Sequence, residues 1–171
     1  SPAFIEDAAA SVAWVFNNIQ KYGGDTSKIF LSGHSAGGYL ALMLTMDASW
    51  LLKQNISNNR IKACIPLSPQ AITHFTIRAE NNIKDVQPVI NEFAPMNFIK
   101  ATTPIIIDIT GDRELELLGR YEENAYFVRM MKLAGNKNIS LYELQGFSHG
   151  SMHLPGIHLM YQEIDKILNK K

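Results

Sequence analysis

"IFLSGHSAGGYLALML", residues 29–44, passes from an apolar run through Gly-His-Ser-Ala-Gly into a second apolar run with helical spacing. The string G-x-S-x-G at Gly33, Ser35 and Gly37 demands a tight strand-to-helix turn that holds the serine in a strained backbone conformation. Glycines on both sides remove side chains that would clash there. The string also recurs in unrelated chains, so its context decides its meaning. Here residues 28–32 read as a short buried strand, and residues 36–46 place Tyr39, Leu40, Met43 and Leu44 on one helical face. A serine hydroxyl is a poor nucleophile at its free pKa. Ser35 therefore needs a base, an orienting acid and donors for an oxyanion.

Composition bounds the possibilities. The 171 residues are 46% hydrophobic with a formal net charge of zero, which suits one globular domain, residues 1–171, with a sizeable core. Balanced charge without a Lys/Arg run argues against a nucleic-acid surface. The single cysteine, Cys64, lies in an apolar run, so it forms no intrachain disulfide and reads as a buried thiol. No apolar segment approaches the length of a membrane span. The chain opens on Ser1-Pro2, which leaves the compartment undetermined. There is no C-x-x-C pair, no H-E-x-x-H and no dinucleotide glycine fingerprint, and a serine nucleophile calls for no metal or organic cofactor.

Along the chain, residues 4–22 carry Ile5, Ala8, Ala9, Val12, Phe16 and Ile19 on one broad side and end at Gly23-Gly24, which predicts a helix covering a sheet. Four apolar runs of strand length follow at residues 28–32, 61–67, 104–110 and 139–144. The first three lack polar alternation, as parallel strands buried on both faces do. Residues 121–133 and 155–168 read as further amphipathic helices, the former opening on Glu122 and Glu123, where acidic side chains favour the helix dipole. The expectation is an α/β fold of about four parallel strands flanked by helices. Residues 68–103 turn polar and irregular yet retain Ile72, Phe75, Ile77, Val86 and Ile90, which predicts a small helical, cap-like insertion between the second and third strands.

A base belongs on a loop after a late strand. Of the five histidines, His149 fits best because a short loop with Gly146 and Gly150 carries it just after the run at 139–144. His153 stands second. His34 lies inside the turn, where it packs or bonds locally, while His74 falls in the insertion and His158 in the last helix. The acid belongs after the preceding strand, and "PIIIDITGDRELEL", residues 104–117, offers Asp108, Asp112, Glu114 and Glu116. Asp108 falls within the strand. Asp112 and Glu114 sit at its carboxyl end, where α/β sheets gather their catalytic groups, and either could orient an imidazole.

The order of serine turn, acid and histidine, each after its own strand, resembles the α/β-hydrolase family. Within it, "GHSAGGYLA" (33–41), "GDRELELLGRYEENAYF" (111–127) and "GFSHGSM" (146–152) are similar to carboxylesterases related to hormone-sensitive lipase and to acetyl and feruloyl esterases. The resemblance runs over nearly the whole chain from Pro2. It implies Ser35 as nucleophile and His149 as base. It places the acid three residues beyond the strand-ending Gly111, at Glu114, with Asp112 next. It also implies an upstream His-Gly-Gly loop supplying half of the oxyanion hole, which leaves the N–H of Ala36 as the donor assigned here, so the chain is expected to be the carboxyl-terminal part of such an enzyme.

These readings converge on a carboxylic ester hydrolase working through an acyl-enzyme, with a small-molecule ester as substrate. A serine peptidase of prolyl-oligopeptidase type shares the fold and the triad order. A third possibility is an incompetent fragment. That fragment would associate through its open sheet edge, and in every reading the strand at 28–32 is expected to form an open apolar edge that takes a second chain or a second copy of this one.

Overall fold

The four strand-length runs form one parallel sheet, and residues 2–169 are described by the computed structural model. Strands β1 (Phe30–His34), β2 (Ala63–Leu67), β3 (Ile105–Gly111) and β4 (Ile139–Leu144) lie in the order β1-β2-β3-β4, with Phe30 opposite Ala63, Leu67 opposite Ile109 and Gly111 opposite Leu144. Helices α1 (Ala3–Asn18), α2 (Ala36–Met46), α3 (Ala48–Leu52), α4 (Phe75–Glu80), α5 (Arg120–Leu133) and α6 (His153–Asn169) complete the chain. The architecture is the α/β arrangement expected from the sequence.

The absence of polar alternation in β2 follows from its having two covered faces. Cys64 points with Leu31 and Ile106 into a core shared with Ile5, Ala9 and Phe16 of α1, Leu42 and Met46 of α2, and Phe127 and Met131 of α5. Ala63, Ile65 and Leu67 point the opposite way, toward Ile157, Met160 and Ile164 of α6. Every residue of β2 is buried. Burial pushes the Cys64 thiol up to about 12, so it stays protonated and inert. β4 lies at one end of the sheet among the described residues and is only partly buried beyond Ile139, with the half-exposed Tyr142 donating its hydroxyl to Glu163 of α6 at 3.1 Å.

Boundaries moved where local turns compete with the sheet. β1 runs over 30–34, two residues later than expected, because the Asp25 carboxylate accepts from Ser27 N–H at 2.8 Å and caps a 3-10 turn at Thr26–Lys28. The first helix tightens into a 3-10 turn at Ile19–Tyr22 and stops at Gly23, whose φ of +81° reverses the chain. The segment between β2 and β3 is less helical than expected. It contains only the six-residue α4 and a 3-10 turn at Pro95–Phe98, and is tied down by Tyr39 O–H donating to the Phe93 carbonyl at 2.7 Å. Its Ala71, Ile77 and Met96 enter the same core as α1 and α2. Among the described residues no helix is long and apolar enough to cross a membrane.

Candidate active site

The turn between β1 and α2 sets Ser35 at φ +56°, ψ −114°, a region costing a non-glycine residue about 1–3 kcal/mol. The flanking backbone holds it there. Ser35 N–H donates to the Leu67 carbonyl of β2 at 2.8 Å, and helix α2 starts immediately afterwards. The glycines contribute unequally. A Cβ at Gly33 would lie 2.4 Å from the Gly37 carbonyl carbon, and one at Gly38 would lie 2.8 Å from the Gly33 oxygen, whereas one at Gly37 meets nothing within 4 Å. Gly33 and Gly38 let the strand and helix backbones touch, while Gly37 is there to be approached. Ala36 opens the helix, so its N–H has no intrahelical carbonyl to donate to and lies next to the serine.

His149 comes from the loop joining β4 to α6, which turns at Gly146 with φ +81°. Its Nε2 lies 3.0 Å from Ser35 Oγ and its Nδ1 lies 2.8 Å from Glu116 Oε2. With Nδ1–H donating to the carboxylate, Nε2 is left to accept the serine proton. The loop is anchored from behind by His34, whose Nε2–H donates to the His149 carbonyl at 2.9 Å. His34 therefore bonds across to the histidine loop and not within its own turn. His153 begins α6, with its ring 5.9 Å from that of His34.

The carboxylate that meets His149 is Glu116, not Glu114 or Asp112, the two favoured from sequence. The reason is a turn. After β3 the chain coils once, with Leu115 N–H and Glu116 N–H both donating to the Asp112 carbonyl at 3.0 and 2.9 Å, which brings residue 116 back beside the strand end. Glu114 is left exposed. Asp112 braces the loops: its carboxylate accepts from Glu114 N–H at 2.9 Å and from Gly146 N–H at 2.7 Å, and these bonds lower its pKa, that from Gly146 most.

Glu116 is held as a rigid anion. Oε1 accepts from Gly111 N–H at 2.9 Å, and Oε2 accepts from Leu117 N–H at 3.1 Å besides the imidazole. Its side chain is solvent-inaccessible. Burial pushes its pKa up, but hydrogen bonds from His149, Ser68 and Gly111 outweigh burial and bring it down to about 2.

Sequence reasoning overlooked a second group at the imidazole. Ser68, the first residue after β2, has φ +47° and brings its Oγ to 2.9 Å from His149 Nδ1. The Nδ1 proton is thus shared between Glu116 and Ser68, and the Ser68 hydroxyl turns its own proton to the carboxylate. The only signal in the sequence was its place one residue past a strand end. Behind it, Asp108 is fully buried with neither carboxylate oxygen hydrogen-bonded. Burial first, and then the nearby Glu123, raise its pKa well above the carboxylate range. A cavity of about 740 Å³ opens between the 70–96 segment and the start of α5, walled by Gln70, Phe75, Val86, Leu117, Leu118 and Tyr126, and its walls include neither Ser35 nor His149.

A family model described as BD-FAE matches residues 1–133. Esterase LipQ of Mycobacterium tuberculosis is 24% identical over 164 residues, covering 86% of this chain and 38% of LipQ. Liver carboxylesterase B-1 of Rattus norvegicus is 32% identical over 101 residues, or 59% of this chain and 16% of that one. Among solved structures, the butyrate-bound esterase Est2 of Thermogutta terrifontis superposes with a TM-score of 0.71 at 25% identity, over 95% of this chain and 65% of that one. The same esterase phosphorylated by paraoxon gives a TM-score of 0.75 at 24% identity, over 95% and 63%. The chain spans well under half the length of these two curated relatives and somewhat under two thirds of the esterase structure.

Proposed function

This chain belongs to the BD-FAE family, and we propose that it carries the nucleophile, base and acid of a carboxylic ester hydrolase. In this reading Ser35 Oγ attacks the ester carbonyl while His149 Nε2 takes its proton, and the buried Glu116 anion stabilises the imidazolium that forms. Ala36 N–H donates to the oxyanion. The carbonyl–alkoxy bond breaks as His149 returns the proton to the leaving alcohol, leaving an acyl ester on Ser35. Water, deprotonated by His149, then attacks that ester, the acid product departs and Ser35 recovers its proton.

The observation that carries the reading is the unbroken series Ser35 Oγ, His149 ring and Glu116 carboxylate, at 3.0 and 2.8 Å, on a serine held at positive φ. Esterase and carboxylesterase relatives support ester hydrolysis over the peptidase reading. The test is covalent capture. A fluorophosphonate should add once to the wild-type chain, at Ser35, and not to Ser35→Ala or His149→Ala. Labelling that survives Ser35→Ala would move the nucleophile elsewhere.

β1 ends the sheet among the described residues and exposes Ser32 at its centre, which supports pairing of this edge with a further strand from a separate chain or a second copy. Sedimentation with amide exchange resolved at residues 30–34 tests it. A monomer whose β1 amides exchange freely, alone and with candidate partners, would remove the proposal.

A further inference from the structure

The start of α5 grips the strand-end loop that carries Ser68. Arg120 Nη1 donates to the Ser68 carbonyl at 2.6 Å, Asn124 Nδ2 donates to the Pro69 carbonyl at 2.9 Å, and Glu123 Oε1 accepts from Ala71 N–H at 3.0 Å. Arg120 and Asn124 are buried. Placing a guanidinium out of water against a neutral carbonyl is costly unless the geometry returns something, and burial lowers the Arg120 pKa accordingly. Its nearby counter-charge is Glu123, with Nε 3.5 Å from Oε1.

What this arrangement fixes is one residue's backbone. Ser68 N–H donates to the Ile109 carbonyl of β3 at 2.7 Å while its own carbonyl receives Arg120. Both peptide groups flanking Ser68 are thus pinned, and they hold it at φ +47°, where an unconstrained serine does not stay. That conformation aims Oγ at His149 Nδ1. A serine relaxed to negative φ would swing the hydroxyl off the ring and leave Glu116 with one donor fewer.

We propose that Arg120 is a positioning residue for the Ser35–His149–Glu116 set, acting through Ser68. The proposal rests on the catalytic reading above, and its test includes an arm independent of turnover. Lysine at position 120 keeps the charge but loses the planar fork that serves Ser68 and Glu123 together. Arg120→Lys and Ser68→Ala should each lower kcat on a p-nitrophenyl ester about tenfold, in the range of a hydrogen bond to a charged group, with KM within twofold. The double variant should fall no further than either single one, because both remove the same contact. Losses that multiply to about a hundredfold would make Arg120 a separate structural element and overturn the proposal, as would an unchanged kcat in Arg120→Lys.

The second arm follows the far-downfield Nδ1 proton of His149 by NMR in the Ser35→Ala background, assigned by its disappearance in His149→Ala. It should move in the same direction in Arg120→Lys and Ser68→Ala, with no additional movement in the double variant. A resonance shifted by Ser68→Ala but untouched by Arg120→Lys refutes the proposal even in a protein without esterase activity. Should Arg120→Lys fail to fold, Glu123→Gln loosens the same guanidinium and should shift the resonance in the same sense. An unmoved resonance there counts against the proposal equally.

Discussion

Replacing Glu116 by glutamine changes one oxygen to an amino group and nothing in volume, yet the surroundings leave that amino group nowhere to go. Both carboxylate oxygens face donors: Gly111 N–H on Oε1, and Leu117 N–H with His149 Nδ1 on Oε2. An amide oriented with oxygen toward His149 points N–H at Gly111 N–H, 2.9 Å from the oxygen it replaces. Oriented the other way, it donates to His149 and forces the ring into the tautomer whose Nε2–H faces Ser35, which cannot accept the serine proton. The equivalent change in a serine protease triad costs about 10⁴ in kcat, or about 5.5 kcal/mol at about 1.4 kcal/mol per tenfold. Glu116→Gln should therefore lower kcat/KM on a p-nitrophenyl ester by about 10³–10⁴, while Glu114→Gln stays within threefold. Asp112→Asn should lie between, near tenfold, since it loosens Gly146 and the loop carrying His149. The decisive comparison is initial rates for the three variants at matched folded fraction. Near-full activity in Glu116→Gln, with a thousandfold loss in either of the others, would show that the acid has been assigned to the wrong turn.

The elbow glycines differ in their tolerance of a methyl group. Gly37→Ala should leave thermal stability unchanged or raise it by up to about 1 kcal/mol through helix propensity, whereas Gly33→Ala, with backbone 2.4 Å from the new Cβ, should cost about 3 kcal/mol or more by urea titration. Stability should also depend on pH through two buried acids. Burial raises Asp108 well above its usual value and Glu123 to about 7, so the folded state binds more protons than the unfolded chain once the unfolded carboxyls ionise near pH 4. The contribution falls as pH climbs from there through 7. Urea unfolding at pH 5 and pH 8 should show that fall, and Asp108→Asn should flatten it; a slope of opposite sign contradicts both assignments. Glu116 works in the opposite sense: held at about 2, it stabilises above pH 4.5 and loses that contribution as pH drops toward 2, so Glu116→Gln should blunt acid unfolding.

Much of this molecule was legible because its signals are local. α2 was read at its observed bounds from the helical spacing after Gly-His-Ser-Ala-Gly, and β4 at residues 139–144 from an apolar run of strand length. The G-x-S-x-G turn pointed to Ser35, chain order and loop position pointed to His149, and the structure brings the two to 3.0 Å. The carboxylate that meets His149 escaped because "GDRELEL" offers one at three alternate positions, and the coiling that selects the third is set by hydrogen bonds to the Asp112 carbonyl. Ser68 escaped for a stronger reason. Its position against the ring depends on a left-handed backbone imposed by a guanidinium 52 residues away in sequence, and no period or motif encodes that.

Cys64, in the middle of the fully buried β2, has a consequence for experiment. As the chain's single thiol, solvent-inaccessible and held protonated at neutral pH, it reacts with an alkylating reagent only while the sheet is open. Every intact molecule thus carries a natural stopwatch for its own opening, with no engineered label. Mass spectrometry of timed alkylation would read how often β2 parts from its neighbours, and whether occupying Ser35 or capping the edge of β1 slows that clock.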